Sequence, residues 1–360
     1  MKPTAPIAAL SLLAFAACAA PGGETEPMAA EPSVAGLWQA GAATSAIRAA
    51  SCPLDDTGAS AFQALELTVS PLNTKQAEVL SGRLPAGAQL AGAWELDAND
   101  PNFGGLSGLA VEDEGHLIAV TDAGGWVQLG ITNGAPASAS VAYMRGASGK
   151  FLSGKYENDA EGFAYRGGIA FVSFERNFRI EAFALGTCGA KAKAVEISAL
   201  PASFDERSID DNEGPEALAM TPEGQLSFGY EGASTGLSPI GRVLATGKSE
   251  WSGKRASNPN GFALVGMDSV RLPDGSDRDV FLYRAFDPLR GARSVLSWGP
   301  GETEQLTLSR PVITDNFEGL AAQTLEDGIL RLWIVSDDNF SNLQRTLLYA
   351  FDVTLAPDAE

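Results

Sequence analysis

The 360-residue sequence predicts an all-β chain folded as a β-propeller, with six blades preferred and five or seven left open. Three observations predict this fold. A pair of short apolar strands joined by a Gly-containing turn recurs along the chain, the copies lie 50–55 residues apart, and no copy shows helical periodicity. Forty glycines and twenty prolines also suit a turn-rich β protein.

The repeats share an acidic or small residue at the start of the first strand. The five copies align on Ser107, Glu161, Glu216, Asp268 and Glu318, and the fourth copy is the weakest. Residues 62–99 alternate polar and apolar side chains as strands do. We therefore predict that they supply a further blade, which closes the ring against the C-terminal strand 347–353.

The N-terminus has the features of a targeting segment. Lys2 is followed by a short apolar run and by Ala16-Ala17-Cys18, an exit resembling a bacterial lipobox. We predict a lipoprotein signal peptide over 1–18, a flexible tether over 19–52 and the propeller over 53–360. The expected location is the outer membrane, facing the periplasm; an ordinary secretory signal and a secreted protein remain the alternative.

Charge and cysteine content limit the possible partners. The chain has 45 Asp and Glu against 25 Lys and Arg, which makes nucleic acid and anionic membrane surfaces poor partners. We expect a monomer that touches the membrane only through a lipid on Cys18. Cys52 and Cys188 could form a disulfide in an oxidising compartment, and the sequence leaves this open.

Corresponding residues of the blades should form rings at one end of the central channel. The first ring would contain the aligned residues above; the second would contain Asp122, Glu175, Glu231, Asp337 and Asp338, with Tyr283 in the weak blade. Converging carboxylates repel one another unless a cation neutralises them, and such an oxygen-rich ring suits Ca²⁺. The predicted metal ligands are Glu161, Glu175, Glu216, Glu231, Glu318, Asp338 and Asn339. Alternatively, these carboxylates bind backbone N–H groups and join neighbouring blades.

The histidine content argues against a Ser-His-Asp hydrolase. The single histidine, His116, follows an Asp-Glu-Gly turn, a position that is normally at the surface. An enzyme built on this chain would instead use a metal and carboxylates, so we predict Glu216, Arg176 and Asp337 as catalytic residues. Arg176 and Arg284 could hold a phosphoryl oxygen or form ion pairs with ring carboxylates.

Several motifs resemble those of the bacterial family known as "esterase-like activity of phytase". They are Asp159-Ala160-Glu161-Gly162, Glu175-Arg176, Asn212 to Ala219, Asn316 to Leu320, and Ser336 to Ser341 with Gln344 and Thr346. The resemblance covers about residues 85–353. It implies a secreted or periplasmic propeller that hydrolyses a phosphoester with Ca²⁺. Because the ring motifs contain few basic residues, we expect a small phosphomonoester or phosphodiester and not a polyphosphate. Two departures are Tyr283-Arg284 in place of Glu-Arg and Ala217 in place of Gly.

Two functions therefore remain open after the sequence. One is a metal-dependent phosphoester hydrolase of the cell envelope. The other is a non-catalytic propeller lipoprotein that binds a ligand or a protein partner and whose acidic ring is structural.

Overall fold

The computed structural model describes residues 41–53, 60–232, 238–299 and 305–355. These residues all fall within one compact unit. The predicted signal peptide and most of the predicted tether lie outside the described residues. No helix in the described part is both long enough and apolar enough to span a membrane.

The first described elements precede the blades in sequence. They are two helices and three strands, and the strands add to the sheets of blades 1 and 5. The elements are α1 (Gly41–Ser51), β1 (Gln63–Leu65), β2 (Leu67–Pro71), α2 (Thr74–Ser81) and β3 (Ala88–Ala98). The helix α1 corrects the predicted tether, which cannot extend over 41–52. Ile47 is buried in the same apolar core as the second blade, and the Ser51 hydroxyl donates to the Lys193 carbonyl oxygen at 2.7 Å.

The end of α1 is also held covalently. Cys52 and Cys188 form a disulfide with a Cα–Cα distance of 5.5 Å, and 136 residues separate them in sequence. The bond ties the segment before the blades to the second blade.

The blades follow in chain order. Blade 1 contains β4 (Leu106–Asp113), β5 (His116–Thr121), β6 (Gly125–Thr132) and β7 (Ala135–Tyr143), with β1 paired outside β7. Blade 2 contains β8 (Ala160–Arg166), β9 (Ile169–Phe174), β10 (Arg179–Phe183) and β11 (Val195–Ala199), and includes the short helices α3 (Lys155–Asn158) and α4 (Leu185–Cys188). The hairpin β12 (Ser203–Phe204) and β13 (Arg207–Ser208) follows.

Blade 3 contains β14 (Ala217–Met220), β15 (Leu226–Gly229), β16 (Ser238–Val243) and β17 (Ser249–Ala256). Blade 4 contains β18 (Ala263–Arg271), β19 (Asp277–Asp287), β20 (Gly291–Ser297) and β21 (Gln305–Leu308). Blade 5 contains β22 (Asn316–Thr324), β23 (Leu330–Asp337) and β24 (Thr346–Val353), followed in space by β3 and β2.

The fold is therefore an all-β propeller, as predicted, and the described residues form five blades. Five lies within the range left open, but the preferred count of six is not observed. Residues 62–99 do not form a blade of their own because β2 and β3 complete blade 5 and β1 extends blade 1. The predicted closure is present: β3 pairs with the C-terminal β24, with Trp94 opposite Leu348.

Short turns reverse the chain between neighbouring strands of a blade. Asn133 and Gly134 join β6 to β7 with φ values of 53° and 76°, which is the pattern of a type I′ hairpin turn. Gly167 and Gly168 do the same between β8 and β9, with φ values of 58° and 82°. These turns send successive strands in opposite directions. As a result, the first residues of every innermost strand lie at the same end of the molecule.

The innermost strands β4, β8, β14, β18 and β22 pack side by side, and β22 packs against β4 to close the circle. Their N-terminal ends, together with the connections between the second and third strands, form one end of the central channel. We call this end the mouth.

Candidate functional site

In four of the five blades, a local backbone irregularity directs one side chain of the innermost strand toward the channel. The pairing of the first and second strands shifts register at Ser107, at Glu161, at Val265 and at Glu318. Such β-bulges re-aim a side chain, and they are common near functional sites. Glu216 occupies the same place in blade 3, directly before β14. We call Ser107, Glu161, Glu216, Val265 and Glu318 the inner ring.

A small residue follows each member of the inner ring because neighbouring strands approach closely there. A Cβ atom on Gly162 would lie 2.9 Å from the Leu218 backbone nitrogen, and one on Gly108 would lie 2.6 Å from the Glu161 carbonyl oxygen. The repeated Glu-Gly motif thus has two parts. The glycine closes the circle of strands, and the residue before it faces the channel.

The structure corrects the position of Asp268. Val265, three residues earlier, occupies the inner ring in blade 4, so the sequence alignment of Asp268 with the ring glutamates was wrong. Asp268 lies toward the opposite end of the channel, where its carboxylate accepts hydrogen bonds from the backbone nitrogens of Ser269 and Ala322, both at 2.8 Å. Burial raises the pKa of Asp268 to about 7, although the two hydrogen bonds lower it.

A second set of residues lies next to the inner ring, at the end of each second strand. The backbone nitrogens of Asp122, Glu175 and Glu231 bond to the residues two places before Ser107, Glu161 and Glu216. In blades 4 and 5 the same register gives Arg284 and Asp337. We call this set the outer ring: Asp122, Glu175, Glu231, Arg284 and Asp337. Tyr283, predicted for blade 4, is instead fully buried in the apolar core.

Three carboxylates come together on blade 2. One oxygen each of Asp159, Glu161 and Glu175 lies within 4.8 Å of the other two, and the residues are only 2–8% exposed. Glu161 and Glu175 were predicted as metal ligands. Asp159 was not, although it belongs to the quoted motif. The available signal was the motif itself, because Asp159 is an acidic residue only two positions before Glu161.

Several carboxylates of the mouth have raised pKa values, because they are buried and lie close to one another. Burial, followed by the charges of Glu216, Glu318, Glu175 and Asp159, raises the pKa of Glu161 well above its usual value. Burial is also the largest cause of the pKa of about 7 at Glu175. For Asp337, burial and then the charge of Glu318 raise the pKa to about 8.

Glu216 is buried at the ring without a hydrogen-bond donor in the described part of the chain. Burial raises its pKa well above the usual value, while the Arg284 charge lowers it and the charges of Glu231, Glu318 and Glu175 raise it. It lines a channel constriction of about 10 Å³, together with Ser107, Val265 and Glu318. This volume holds about one water molecule, so a larger ligand would stay at the mouth.

Arg284 supplies positive charge inside this acidic environment. Its Nη1 lies 2.6 Å from Glu318 Oε1 and donates to Asn316 Oδ1 at 2.9 Å, and its Nη2 donates to Glu231 Oε1 at 3.4 Å. Burial would lower the pKa of Arg284, but the charges of Glu318, Glu216 and Glu231 outweigh it and raise the pKa. The predicted alternative role, an ion pair with ring carboxylates, is what the structure shows for Arg284.

Arg176 lies at the edge of the same site. Its Nε donates to Asp159 Oδ2 at 2.6 Å, and its side chain is 33% exposed. Neither Nη group has a hydrogen-bond partner among the described residues. The Asp159 hydrogen bond and charge raise the pKa of Arg176, with burial opposing them. The guanidinium is thus anchored through Nε and presents its two Nη groups to solvent.

Two predicted ligands, Asp338 and Asn339, lie apart from the carboxylates of blade 2. Asp338 accepts hydrogen bonds from the backbone nitrogens of Gly105 and Phe340, both at 2.9 Å, and from the Thr346 hydroxyl at 2.8 Å. It therefore connects blade 5 to blade 1, as the alternative structural role predicts. Asn339 is exposed in a left-handed turn with φ 50°.

His116 is remote from this site. It begins β5 at the end of blade 1 opposite the mouth, where Nδ1 lies 2.8 Å from Asp113 Oδ1. Its side chain is 46% exposed. The surface position predicted from the sequence is confirmed.

The donor set at blade 2 fits a hard divalent cation. All three groups are carboxylates, no histidine or cysteine is near them in the described part of the chain, and Glu161 lacks a hydrogen-bond donor there. Ca²⁺ prefers oxygen ligands of this kind and accepts backbone carbonyls and water to complete its coordination.

Residues 101–261 match the model of the family described as "Phytase-like: Esterase-like activity of phytase". The predicted resemblance is confirmed over this range, which contains blades 1–3 and the cluster of Asp159, Glu161 and Glu175. The match ends before Arg284, Glu318 and Asp337. No curated protein matches the chain.

Solved structures similar to this chain include a glutaminyl cyclase from Myxococcus xanthus, with 13% identity, 74% of this chain and 97% of that chain covered, and a TM-score of 0.42. A thermostable family-43 glycoside hydrolase shows 11% identity, coverage of 71% and 92%, and a TM-score of 0.39. A putative oxidoreductase (glucose dehydrogenase) from Thermus thermophilus shows 13% identity, coverage of 79% and 100%, and a TM-score of 0.32. These scores are too low to bear on the activity of this chain.

Proposed function

We propose that this chain is a metal-dependent phosphoester hydrolase whose cation, Ca²⁺, binds to Asp159, Glu161 and Glu175 at the mouth of the channel. One observation carries the proposal. Three buried carboxylates converge within 4.8 Å in the part of the chain that matches the phytase-like family model. Buried charges of one sign need either protons or a cation, and the oxygen donors select a hard cation.

The residues around this cluster have properties that suit phosphoester hydrolysis. A cation at the cluster would offset the negative charge of a phosphoryl group. The free Nη groups of Arg176 can donate two parallel hydrogen bonds to phosphoryl oxygens, while the Nε–Asp159 bond fixes the orientation of the guanidinium. Arg284 is less suited to this role because its Nη groups already bond to Glu318, Asn316 and Glu231.

Two carboxyl groups are suited to move protons. Burial raises the pKa of Glu216, and the Arg284 charge opposes this and favours the ionised form. When ionised, this carboxylate, which has no donor in the described chain, can accept a proton from the attacking water as a new P–O bond forms. Asp337, with a pKa of about 8, is mostly protonated at neutral pH and can donate a proton to the leaving alcohol oxygen as the ester P–O bond breaks. The products would be the alcohol and a phosphate or phosphomonoester.

The substrate class that fits is a small phosphoester. Arg176 is the basic group best placed to receive a phosphoryl oxygen, and the surrounding carboxylates would repel additional phosphate groups. A compound with many phosphates would need several basic side chains together at the mouth. We therefore propose a phosphomonoester or phosphodiester with one phosphate.

We also propose that the chain acts in the cell envelope as a monomer, anchored through a lipid on Cys18 and facing the periplasm. The Cys52–Cys188 disulfide supports an oxidising compartment. The Ala16-Ala17-Cys18 exit supports lipidation. Labelling cells with a fatty-acid analogue would test the anchor, and Cys18→Ser should abolish the label.

A non-catalytic binding role remains the second candidate, favoured by the hydrogen bonds of Asp338 and Asp268. Both carboxylates accept backbone N–H groups from a neighbouring blade, which shows that part of the acidic set is structural. In this alternative, a cation at blade 2 would stabilise the fold without any turnover.

Hydrolysis assays with the purified full-length chain separate the two roles. Chromogenic phosphate mono- and diesters would be offered with Ca²⁺, with other divalent cations, and with a chelator. We expect turnover that requires the cation and is abolished by Glu161→Gln, whereas Glu196→Gln, at an exposed site on β11, leaves it unchanged. Absence of turnover with every cation, in a protein that Ca²⁺ stabilises, would favour the binding role.

A further inference from the structure

Blade 4 differs from the other blades at both rings. Its inner-ring residue is Val265, whereas blades 2, 3 and 5 have a glutamate there. Its outer-ring residue is Arg284, whereas those three blades have a carboxylate. Blade 4 therefore adds one positive charge to the mouth and no negative charge. The sequence shows this as the departure Tyr283-Arg284, without indicating what the arginine contacts.

The contacts of Arg284 extend to both neighbouring blades. Its guanidinium meets Glu231 of blade 3 at 3.4 Å and Glu318 of blade 5 at 2.6 Å, and Asn316 beside Glu318 accepts a further hydrogen bond. Asn316 Nδ2 in turn donates to Glu318 Oε1 at 2.8 Å. Arg284 thus occupies the space between carboxylates in the way a bound cation would.

The carboxylates of the mouth divide into two groups as a result. Asp159, Glu161 and Glu175 lie on blade 2, and the cations at their edge, Arg176 and Lys155, lie 2.6 and 3.7 Å from Asp159. Glu216, Glu231 and Glu318 lie around Arg284, and the Arg284 charge acts on all three. Glu216 is 6% exposed and lines the channel constriction together with Glu318. This second group thus also contains a carboxylate without a hydrogen-bond donor in the described chain.

We propose that Arg284 is a built-in cation that restricts the mouth to a single divalent ion, and that Glu216, Glu231 and Glu318 form a latent second cation site which Arg284 keeps closed. This inference rests on the proposed function, because the single ion is the one assigned to Asp159, Glu161 and Glu175. Arg284 is a positioning residue in this view. It holds Glu231 and Glu318 in place without contacting the substrate.

The number of bound Ca²⁺ ions tests the proposal without any measurement of activity. The full-length chain would be stripped with a chelator and titrated with Ca²⁺ by calorimetry and by equilibrium dialysis. We expect one ion per chain for the native protein, two for Arg284→Met, and one for Arg284→Lys, which keeps a positive charge. Arg242→Met is a matched control, because Arg242 pairs with Glu250 at the surface, and it should bind one ion.

A further variant identifies the residues of the second site. Arg284→Met combined with Glu318→Gln should return to one ion, since the latent site would lose a carboxylate. Thermal unfolding provides a separate readout. Removal of Arg284 leaves buried carboxylates without their partner, so Ca²⁺ should raise the melting temperature of Arg284→Met by more than that of the native protein.

The outcomes distinguish this inference from the proposed function. One ion in both the native protein and Arg284→Met would overturn the inference and leave the blade 2 site intact. Two ions in the native protein would also overturn it. No ion in any variant would remove the proposed cation site and this inference together. If Arg284→Met fails to fold even with Ca²⁺ while the double variant folds, the ion cannot replace the arginine and the inference is wrong.

Discussion

The Nε atom of Arg176 donates a 2.6 Å hydrogen bond to Oδ2 of Asp159, a carboxylate that is almost completely buried. The bond crosses from the end of the second strand of blade 2 to the start of its first strand. The backbone of Arg176 is in the left-handed region, with φ 59°. The pair thus links the edge of the site, where a phosphoryl oxygen could bind, to the three carboxylates that we assign to the cation.

This relationship predicts that Arg176→Ala affects stability in a cation-dependent manner. Without Ca²⁺ the variant leaves the buried Asp159 carboxylate without its hydrogen-bond donor, which should lower the free energy of unfolding by about 1–3 kcal/mol. With Ca²⁺ bound to Asp159, most of this loss should disappear. Denaturant unfolding with Ca²⁺ and with chelator measures the difference. Arg255→Ala, which breaks an exposed pair with Asp205, should show no dependence on Ca²⁺. An equal loss for Arg176→Ala in both conditions would contradict the assignment of Asp159.

The raised pKa values predict the pH dependence of the metal-free protein. In the folded state Glu175 has a pKa of about 7 and Asp337 of about 8, whereas both ionise near pH 4 in an unfolded chain. Between these values the folded state binds more protons than the unfolded state, so the free energy of unfolding falls as pH rises. We expect the melting temperature in chelator to drop on the order of 5 °C from about pH 5 to about pH 8.

Variants and Ca²⁺ give controls for this pH effect. Asp337→Asn removes one of the titrating groups and should make the dependence shallower, while Glu196→Gln, at an exposed site, should not change it. Saturating Ca²⁺ should raise the melting temperature most at the high end of the range, because protons no longer compete for the carboxylates. A metal-free protein that becomes more stable with rising pH would contradict these raised pKa values.

The repeat period predicted the propeller, but it could not predict how the chain closes. Residues 62–99 alternate like blade strands, yet an isolated set of strands at the N-terminus can join the edge of a later sheet. The structure shows this outcome, with β3 beside β24 and Trp94 stacked on Trp333 at 6.3 Å. Periodicity reports strands and their faces, whereas the choice of partner depends on packing between distant segments.

The functional site was predictable where a motif combines a glycine with an acid. Glu161 and Glu318 precede glycines that the close approach of neighbouring strands requires, so their sequence pattern and their position agree. Blade 4 lacks the acid, and the alignment chose Asp268 by chemical similarity. The glycine was the better guide, because Gly266 follows Val265 as Gly162 follows Glu161. The role of Arg284 depends on contacts between three blades, which a single repeat does not encode.

The close approach of innermost strands predicts a large effect of a small substitution. In Gly162→Ala the new Cβ would lie 2.5 Å from Ser173 Oγ and 2.9 Å from Leu218 Cβ and backbone nitrogen. Overpacking of this kind should lower the free energy of unfolding by about 1–3 kcal/mol, and it should also disturb Glu161. Gly115→Ala is the matched control, since its nearest neighbour would be 3.6 Å away. Equal stability of the two variants, measured by denaturant unfolding, would contradict the role given to the Glu-Gly motif.

The Cys52–Cys188 disulfide closes a long loop between the segment before the blades and blade 2. Cross-linking residues this far apart restricts the unfolded chain, so Cys52→Ser with Cys188→Ser should lower the free energy of unfolding by about 2–4 kcal/mol. Each single variant should lose about as much as the double variant, because each breaks the same bond. The contacts of Ile47 and Ser51 should keep α1 in place, which hydrogen exchange can measure. Rapid exchange throughout α1 in the double variant would show that the disulfide alone holds the helix.

Asp338 provides a direct test of structural against ligand roles at the mouth. Its two oxygens accept three hydrogen bonds, from Gly105, Phe340 and Thr346, which link blade 5 to blade 1. Asp338→Asn replaces one of these oxygens with an NH₂ group, which cannot accept a hydrogen bond. The N–H or O–H groups that donated to that oxygen would then lose their acceptor. We expect a loss of about 1–3 kcal/mol in the free energy of unfolding and an unchanged affinity for Ca²⁺.

Glu161→Gln should show the reverse, with Ca²⁺ binding lost and metal-free stability equal or higher, since it removes a buried charge without a donor in the described chain. If Asp338→Asn abolishes Ca²⁺ binding while Glu161→Gln retains it, the cation lies between blades 5 and 1 and not at blade 2.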